Sequence, residues 1–487
     1  MSQHILRSLL KYGKTSFLKD RVQFLSLNGH HPKLTIMIPA VLEKAYFDRI
    51  LIDIKQGLFW DVITDTQNAF PQFREAFTSY MKTVLKWNHL KNSDDGSTVL
   101  HAVSFEGYDD YVTYFLDLDK SLVNKDNKSG QIPLHLACQN GHSITAQLLL
   151  TKGAYIDKTD NNENTPLDLA CAGGYTDTVT ILLSSRAAIK QRRTDLKTAL
   201  HVVCRNGHMN IAKMLLNRNA KVNIRDKAGH TPLYLASLKG CAEIVELLIQ
   251  HEADVNIADN IGRTALILSC EKNHIEMAEI LLKHNASTFI DNEEGKRPIH
   301  CCCEVGSSEI TELLLSHGVD INQRDSQEST PLHWACKKGH ELIVVMLLEK
   351  NADVSLQNQN KNTPLHIACI NGYINIIKLL LQHKANEEGG LTPLYIACRD
   401  EKVDIIKQLL IHGAHVNEPD KDGWTPLYLA CKESNIEIAR ILIQEGANVN
   451  QADNDGITPL HLTAKAGNTS LTELLLESKT SVNMVEN

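Results

Sequence analysis

Histidine and cysteine three positions apart recur along this chain. His135 with Cys138 and His333 with Cys336 have the residue types of zinc ligands, and Cys301, Cys302 and Cys303 stand side by side. A zinc site needs four ligands converging on one point. These pairs instead return at a fixed interval, and Tyr234, Tyr395 and Tyr428, which are poor zinc ligands, occupy the histidine position in three copies. Neighbouring side chains on a helix diverge by about 100°, so at most one or two of the three adjacent cysteines are expected to be buried together. The chain has no Gly-rich phosphate loop, no His-Glu-x-x-His, no Gly-x-Ser-x-Gly and no kinase signature set. The reading is a protein that is not an enzyme, with no metal site and no cofactor.

The pairs recur because the chain repeats. Thr-Pro-Leu begins at Thr165, Thr231, Thr330, Thr363, Thr392, Thr425 and Thr458, and weaker versions begin at Thr98, Ile132, Thr198, Thr264 and Arg297. These twelve units recur mostly every 33 residues, so the length of the chain is expected to go into one continuous solenoid. In the copy at Thr330, the side-chain oxygen is placed to cap a helix, and Pro331 suits its first position because its fixed φ is helical and its missing N–H would be unpaired anyway. Leu332, Ala335 and Cys336 form an inner stripe, Gly339 permits a tight turn, and Ile343, Val344, Leu347 and Leu348 give a second helix its apolar face. Gly153, Asn219, Asn285, Gly318, Asn351, Gly413 and Gly446 stand where a left-handed residue should end that second helix. Polar stretches such as Asp226 to Gly229 then read as hairpins leading to the next Thr.

The start at Thr330, the central Gly339-His340, the paired leucines and the finish at Gly446 to Asn450 resemble the ankyrin repeat, and the resemblance covers residues 96–485. It implies an all-α fold: a curved right-handed solenoid of helix-turn-helix units with hairpin fingers, binding proteins through the fingers and the concave inner helices. It further implies a structural hydrogen-bonding role for the signature histidine. Asn256 and Asn450 resemble asparagines that are hydroxylated in some members of the family.

Nine of the twelve cysteines (138, 171, 204, 270, 303, 336, 369, 398 and 431) share one repeat position, which elsewhere holds Ser237 or Ala464. That pattern describes a tight interior slot filled by reduced thiols acting as small hydrophobes. No run of 18 apolar residues and no secretion signal is present, so a cytoplasmic or nuclear protein without membrane insertion is expected, or one in the host cytosol if it is a bacterial effector. Of the formal charge of −8, residues 1–94 carry +5 (13 Lys/Arg against 8 Asp/Glu), leaving −13 on the remainder. A repeat region this acidic argues against nucleic-acid binding.

The domain expectation is a helical region at 1–94 and a repeat region at 95–487. Within 1–94, His4 to Gly13 resembles a second repeat helix, and Pro39 to Lys55 and Phe73 to Lys86 have helical apolar spacing. Three roles stand for this region: a cap on the solenoid, a module that recruits a second protein such as a ubiquitin-ligase subunit, or a small catalytic module, against which the lack of any nucleophile–base motif counts. Glu401 and Ser434 replace the turn glycine, so distorted turns are expected there. Residues 386–390 connect two repeats with four residues fewer than usual, which predicts a notch in the row of fingers.

The residue before the signature Thr sits on the finger and is expected to face solvent. Lys197, His230, Arg263 and Lys296 form a cationic zone there, and Leu391, Trp424 and Ile457 an apolar one. Inner-helix positions carry Lys337, Ile370, Arg399, Lys432 and Lys465, while Glu243, Glu246, Glu309, Glu312 and Glu341 lie on outer helices. The expected partner is a protein that offers an acidic segment and an apolar anchor near Trp424. The alternative for Trp424 is packing against its neighbouring finger, and Trp334 reads as core.

Overall fold

The computed structural model describes residues 95–189, 195–383, 385 and 391–478, together with the backbone of two short strands, β1 (Val22–Phe24) and β2 (Ile36–Ile38). The strands pair in parallel, Val22 opposite Ile36. They fall within the region expected to be helical. The expected helices at 39–55 and 73–86, the stretch 4–13 and the shortened finger at 386–390 lie outside the described residues.

From residue 98 onward, each of the twelve landmarks opens a pair of antiparallel helices, from Val99–Glu106 with Asp109–Leu118 in repeat 1 to Pro459–Ala466 with Thr469–Glu477 in repeat 12. The fold is an all-α repeat solenoid. The chain forms two compact units, Met1–Ala253 and Asp254–Asn487. The first contains repeats 1–5 and the second repeats 6–12. Inside each unit, first (inner) helices pack on first helices of the adjacent repeats and second (outer) helices on second helices. A single pair cannot bury both its apolar faces, so each repeat is stable only through its neighbours. The inner Leu and the landmark Cys of repeat 8, Leu332 and Cys336, and the outer Val344 and Leu347 are at most 1% exposed. Each fully buried Leu contributes roughly 1.5–3 kcal/mol of transfer free energy.

The start of the inner helix differs from expectation in an informative way. At Thr330 the threonine does not cap the helix; instead His333 Nδ1 accepts from the Thr330 backbone N–H at 3.1 Å and from its hydroxyl at 2.8 Å. The histidine, three residues into the helix, therefore fills the role of the capping-box acid. Where tyrosine replaces it, the threonine caps as expected: Thr231, Thr392 and Thr425 each accept from the N–H of the tyrosine at 3.1 Å.

The turn after the inner helix keeps one geometry throughout. Gly339 has φ +79°, and Asn273, Glu401 and Ser434 adopt φ +55°, +54° and +63°, so the expected distortion at Glu401 and Ser434 does not occur. What decides the residue type is the next repeat. A Cβ on Gly339 would lie 2.6 Å from the Tyr373 ring, whereas on Gly372 it would meet nothing nearer than the Lys402 ammonium at 3.7 Å. After Glu401 and Ser434 the next repeat supplies Asn435 and Asn468 rather than a ring, which leaves space for a side chain. The seven expected helix-ending residues are all left-handed, and Arg186 and Glu252 join them at φ +68° and +65°.

The three adjacent cysteines depart from expectation more plainly. Cys301, Cys302 and Cys303 are all buried, at 3%, 0% and 0% exposure. Divergence on a helix separates buried from exposed positions only when one side is open. The inner helix Pro298–Val305 has helices packed on it from repeats 6 and 8 and from its own outer helix, so three successive directions are all covered.

Nine of the fingers are locked, among the described residues, by one Asp or Asn five residues before the landmark. Asp226 Oδ1 accepts from the N–H of Ala228 and of His230, both at 2.9 Å, and Asp420 and Asp453 do the same for Trp424 and Ile457, both at 2.8 Å. Backbone bonds tie adjacent fingers together, such as Gln359 N–H to Gln327 O at 2.9 Å and Glu293 N–H to Ile261 O at 3.0 Å.

Candidate protein-interaction surface

The histidines and cysteines that opened the chemical question are structural. His101, His135 and His333 each place Nε2 on a backbone carbonyl of the following finger, at 2.9, 3.2 and 3.0 Å. With Nδ1 accepting, the proton sits on Nε2 and the ring is neutral. Burial pushes His101 and His333 down to about 4, against the carbonyls that favour the charged form. His366 is also pushed to about 4 by burial, against the Leu391 backbone, which favours the charged form. This histidine belongs to the repeat before the shortened finger. Burial likewise raises the thiols of Cys303, Cys398 and Cys431 to about 12 and that of Cys336 further. Such thiols stay protonated at neutral pH and are poor ligands and nucleophiles. Among the described residues, no three His, Cys, Asp or Glu side chains are grouped to hold a metal ion, and no helix is long and apolar enough to cross a membrane.

Two of the three tyrosines that replace the histidine make an equivalent link to the next finger. Tyr395 and Tyr428 donate from their hydroxyls to Asp420 Oδ2 at 2.8 Å and Asp453 Oδ2 at 2.6 Å. The same finger carboxylates that lock the hairpins thus receive the inner helix of the preceding repeat. Desolvation would raise the Asp453 carboxyl, but hydrogen bonds from Tyr428, the N–H groups of Ile457 and Asp455 and the Trp424 side chain hold it below its usual value.

The four finger side chains are all engaged. Lys197 lies 2.8 Å from Asp195 and His230 lies 3.3 Å from Asp226. Arg263 lies 3.0 Å from Asp259, and Lys296 lies 2.7 Å from Glu294 and 2.6 Å from Glu304. Lys296 is also buried, contrary to the expectation for its position, because it is held between those two carboxylates with its ammonium 3.9 Å from the centre of the Trp334 ring. The expected cationic zone is three ion pairs and a histidine hydrogen-bonded to Asp226.

On the inner helices the balance is different. Lys337, Ile370, Arg399, Lys432 and Lys465 are all exposed. Arg399 pairs with Asp400 at 2.9 Å, whereas no ion pair forms at Lys337, Lys432 or Lys465 among the described residues. Lys432 is held in place by an aromatic ring instead, its ammonium 3.5 Å from the centre of Trp424. Trp424 stacks on Tyr428 of its own repeat, centroids 5.5 Å apart and planes 20° from parallel. Leu391, Trp424 and Ile457 are each half-buried. Trp334 is core, at 6% exposure, with its indole N–H donating to Asp325 at 2.8 Å. The acidic outer-helix residues Glu243, Glu246, Glu309, Glu312 and Glu341 are exposed.

A model of the family described as ankyrin repeats (3 copies) matches this chain in overlapping segments, 75–160, 100–194, 144–226, 185–259, 253–325, 286–358, 332–420 and 394–486. The chain belongs to the ankyrin-repeat family. Ankyrin arrays are protein-interaction scaffolds that are generally not enzymes. The match begins at residue 75, inside the region that sequence reading set apart as 1–94.

Proposed function

We propose that this ankyrin array is a recognition scaffold whose repeats 8–12 bind an acidic segment of a partner protein. The acidic groups lie along Lys337, Arg399, Lys432 and Lys465, and an apolar residue seats against Leu391, Trp424 and Ile457. The observation that carries the reading is the contrast in pairing: Lys197, Arg263 and Lys296 are paired with carboxylates of the chain, while Lys432 and Lys465 are exposed without a carboxylate partner among the described residues. An exposed cation without a carboxylate pays only desolvation and side-chain ordering to pair with an incoming carboxylate, whereas an engaged one must also give up its own. Lys432 also starts from a fixed position over Trp424, which reduces the ordering cost of binding.

The test is an affinity capture from cytosolic extract, read by mass spectrometry, with the intact chain, Trp424→Ala and Lys432→Glu/Lys465→Glu side by side at matched helical content. One set of partners lost from both variants is the expected result. Unchanged capture by the charge-reversed variant would remove the inner helices from the binding site.

A further inference from the structure

A cavity of about 390 Å³ lies in repeats 6 and 7 of the second unit, and Glu271 and Glu304 from the inner helices Ala265–Lys272 and Pro298–Val305 reach its wall. Its wall carries both signs of charge, but the cations are already spent. Lys296 is clamped by Glu294 and Glu304, and Arg263 sits 3.0 Å from Asp259 and reaches Glu271 only at 3.8 Å. Glu293 forms no ion pair among the described residues and is exposed. The wall still carries four carboxylates, Glu271, Glu293, Glu294 and Glu304, against the two cations Arg263 and Lys296, so negative charge is in excess. Beside them, Ile261 and Val305 line the same cavity and are 42% and 44% exposed, large apolar side chains left open to solvent.

An apolar edge next to an excess of carboxylates matches one kind of side chain: a long aliphatic stem that ends in a cation. An anion would be repelled, and a neutral group would leave the excess of carboxylates uncompensated. Desolvation already pushes the Glu271 carboxyl up, and an arriving cation would reverse that. The volume is at the lower end for a ligand pocket and accommodates an arginine or lysine together with part of its backbone.

The position seven residues after the landmark extends this into a pattern along the inner helices of one unit. It reads Glu271, Glu304, Lys337, Ile370, Arg399, Lys432 and Lys465, so the sign reverses once, between repeats 7 and 8. We propose that the cavity of repeats 6 and 7 receives an arginine or lysine of the same partner segment whose acidic stretch lies on repeats 8–12, so that the partner is read by the order of its charges. The acidic half of this statement rests on the proposed function; the basic half rests on the cavity. Packed helices lie 8–10 Å apart, so the four repeats from Glu304 to Lys432 span roughly 40 Å, or about 12 residues of extended chain.

The test uses synthetic fluorescent peptides with one terminal arginine, a Gly-Ser spacer and a Glu-rich block around a leucine, made in both chain directions, with spacers on either side of the matching length. Binding is measured by anisotropy at fixed salt to the full chain, to Glu271→Gln/Glu293→Gln and to Lys432→Gln/Lys465→Gln. In the direction that binds, replacing the peptide arginine by glutamine is expected to weaken binding about tenfold to the intact chain and to change nothing for Glu271→Gln/Glu293→Gln. If the acidic block binds through Lys432 and Lys465 but the arginine makes no difference, the cavity inference fails and the proposed function stands. An arginine that binds through Glu271 and Glu293 while the acidic block contributes nothing supports the cavity and overturns the proposed function. Absence of both effects overturns both.

Discussion

The buried signature histidines make the array sensitive to acid in a window that can be named. His101, His333 and His366 are 0%, 2% and 0% exposed, and burial lowers each from 6.5 to about 4. In the unfolded chain an imidazole takes up a proton as the pH falls below 6.5, while in the folded array it stays neutral until about 4. Stability is therefore fully present above pH 6.5 and is lost as the pH falls towards 4, by at most one proton, or about 1.4 kcal/mol per pH unit, for each histidine. At pH 5 the loss is about 2 kcal/mol each. The second unit contains two of the three and loses about 4 kcal/mol, a large part of the 5–15 kcal/mol that holds a typical domain folded. His135 and His300 are lowered by burial as well and add to the slope. Glu106 and Glu271, whose carboxyls burial raises, act in the opposite sense near pH 5.

Urea unfolding followed by circular dichroism at pH 7, 6 and 5 measures this loss, and His333→Gln isolates one group. Glutamine at the third helical position can still accept from the Thr330 N–H as in a capping box, so the variant keeps the helix start without the titration. It is expected to be about 1 kcal/mol weaker at pH 7 through the lost bond to the Asn362 carbonyl. Its further loss between pH 7 and 5 should be about 2 kcal/mol smaller than that of the intact chain. An equal loss in both proteins would show that His333 titrates normally in the folded state, and the link between burial and acid sensitivity would be wrong.

Two further outcomes follow from the packing. Gly339→Ala pays both for φ +79° and for a Cβ 2.6 Å from Tyr373, while Gly372→Ala at φ +82° pays for the backbone alone. Urea midpoints should therefore place Gly372→Ala about 1 kcal/mol below the intact chain and Gly339→Ala a further 1–3 kcal/mol below that, roughly the cost of overpacking. Eleven of the twelve cysteines are buried and Cys241 is half-buried, so a thiol reagent added to native protein should label one cysteine quickly, and Cys241→Ser should abolish that phase. Fast labelling of several thiols would contradict the interior slot.

The repeat architecture was legible because its signals are local. Pro331 opens a helix, Gly339 turns the chain and Asn351 ends the second helix in a left-handed conformation, each through its own covalent geometry. The burial of Cys301, Cys302 and Cys303 together was not legible, because it depends on helices some 30 residues away on either side. The same holds for the undistorted turns at Glu401 and Ser434, where the residue that sets the available space belongs to the next repeat.

Charge shows the same division, and here a signal was present but lay across two columns of the repeat. Reading only the residue before the landmark gives a cationic row; pairing it with the residue eight positions later gives Arg263 with Glu271, Lys296 with Glu304 and Trp424 with Lys432. In each case the later residue is the one that the finger residue attracts: a carboxylate where the finger carries a cation, an ammonium where it carries an aromatic face. The finger residue thus determines what its inner-helix neighbour can still offer a partner. Glu304 is largely used up by Lys296, whereas Lys432 keeps its full charge, because a ring attracts an ammonium without neutralising it. A binding surface on such an array is consequently written in pairs of positions. The exchange of finger cations for finger apolar residues between repeats 7 and 10 and the change from acidic to basic inner helices are one feature of the sequence rather than two.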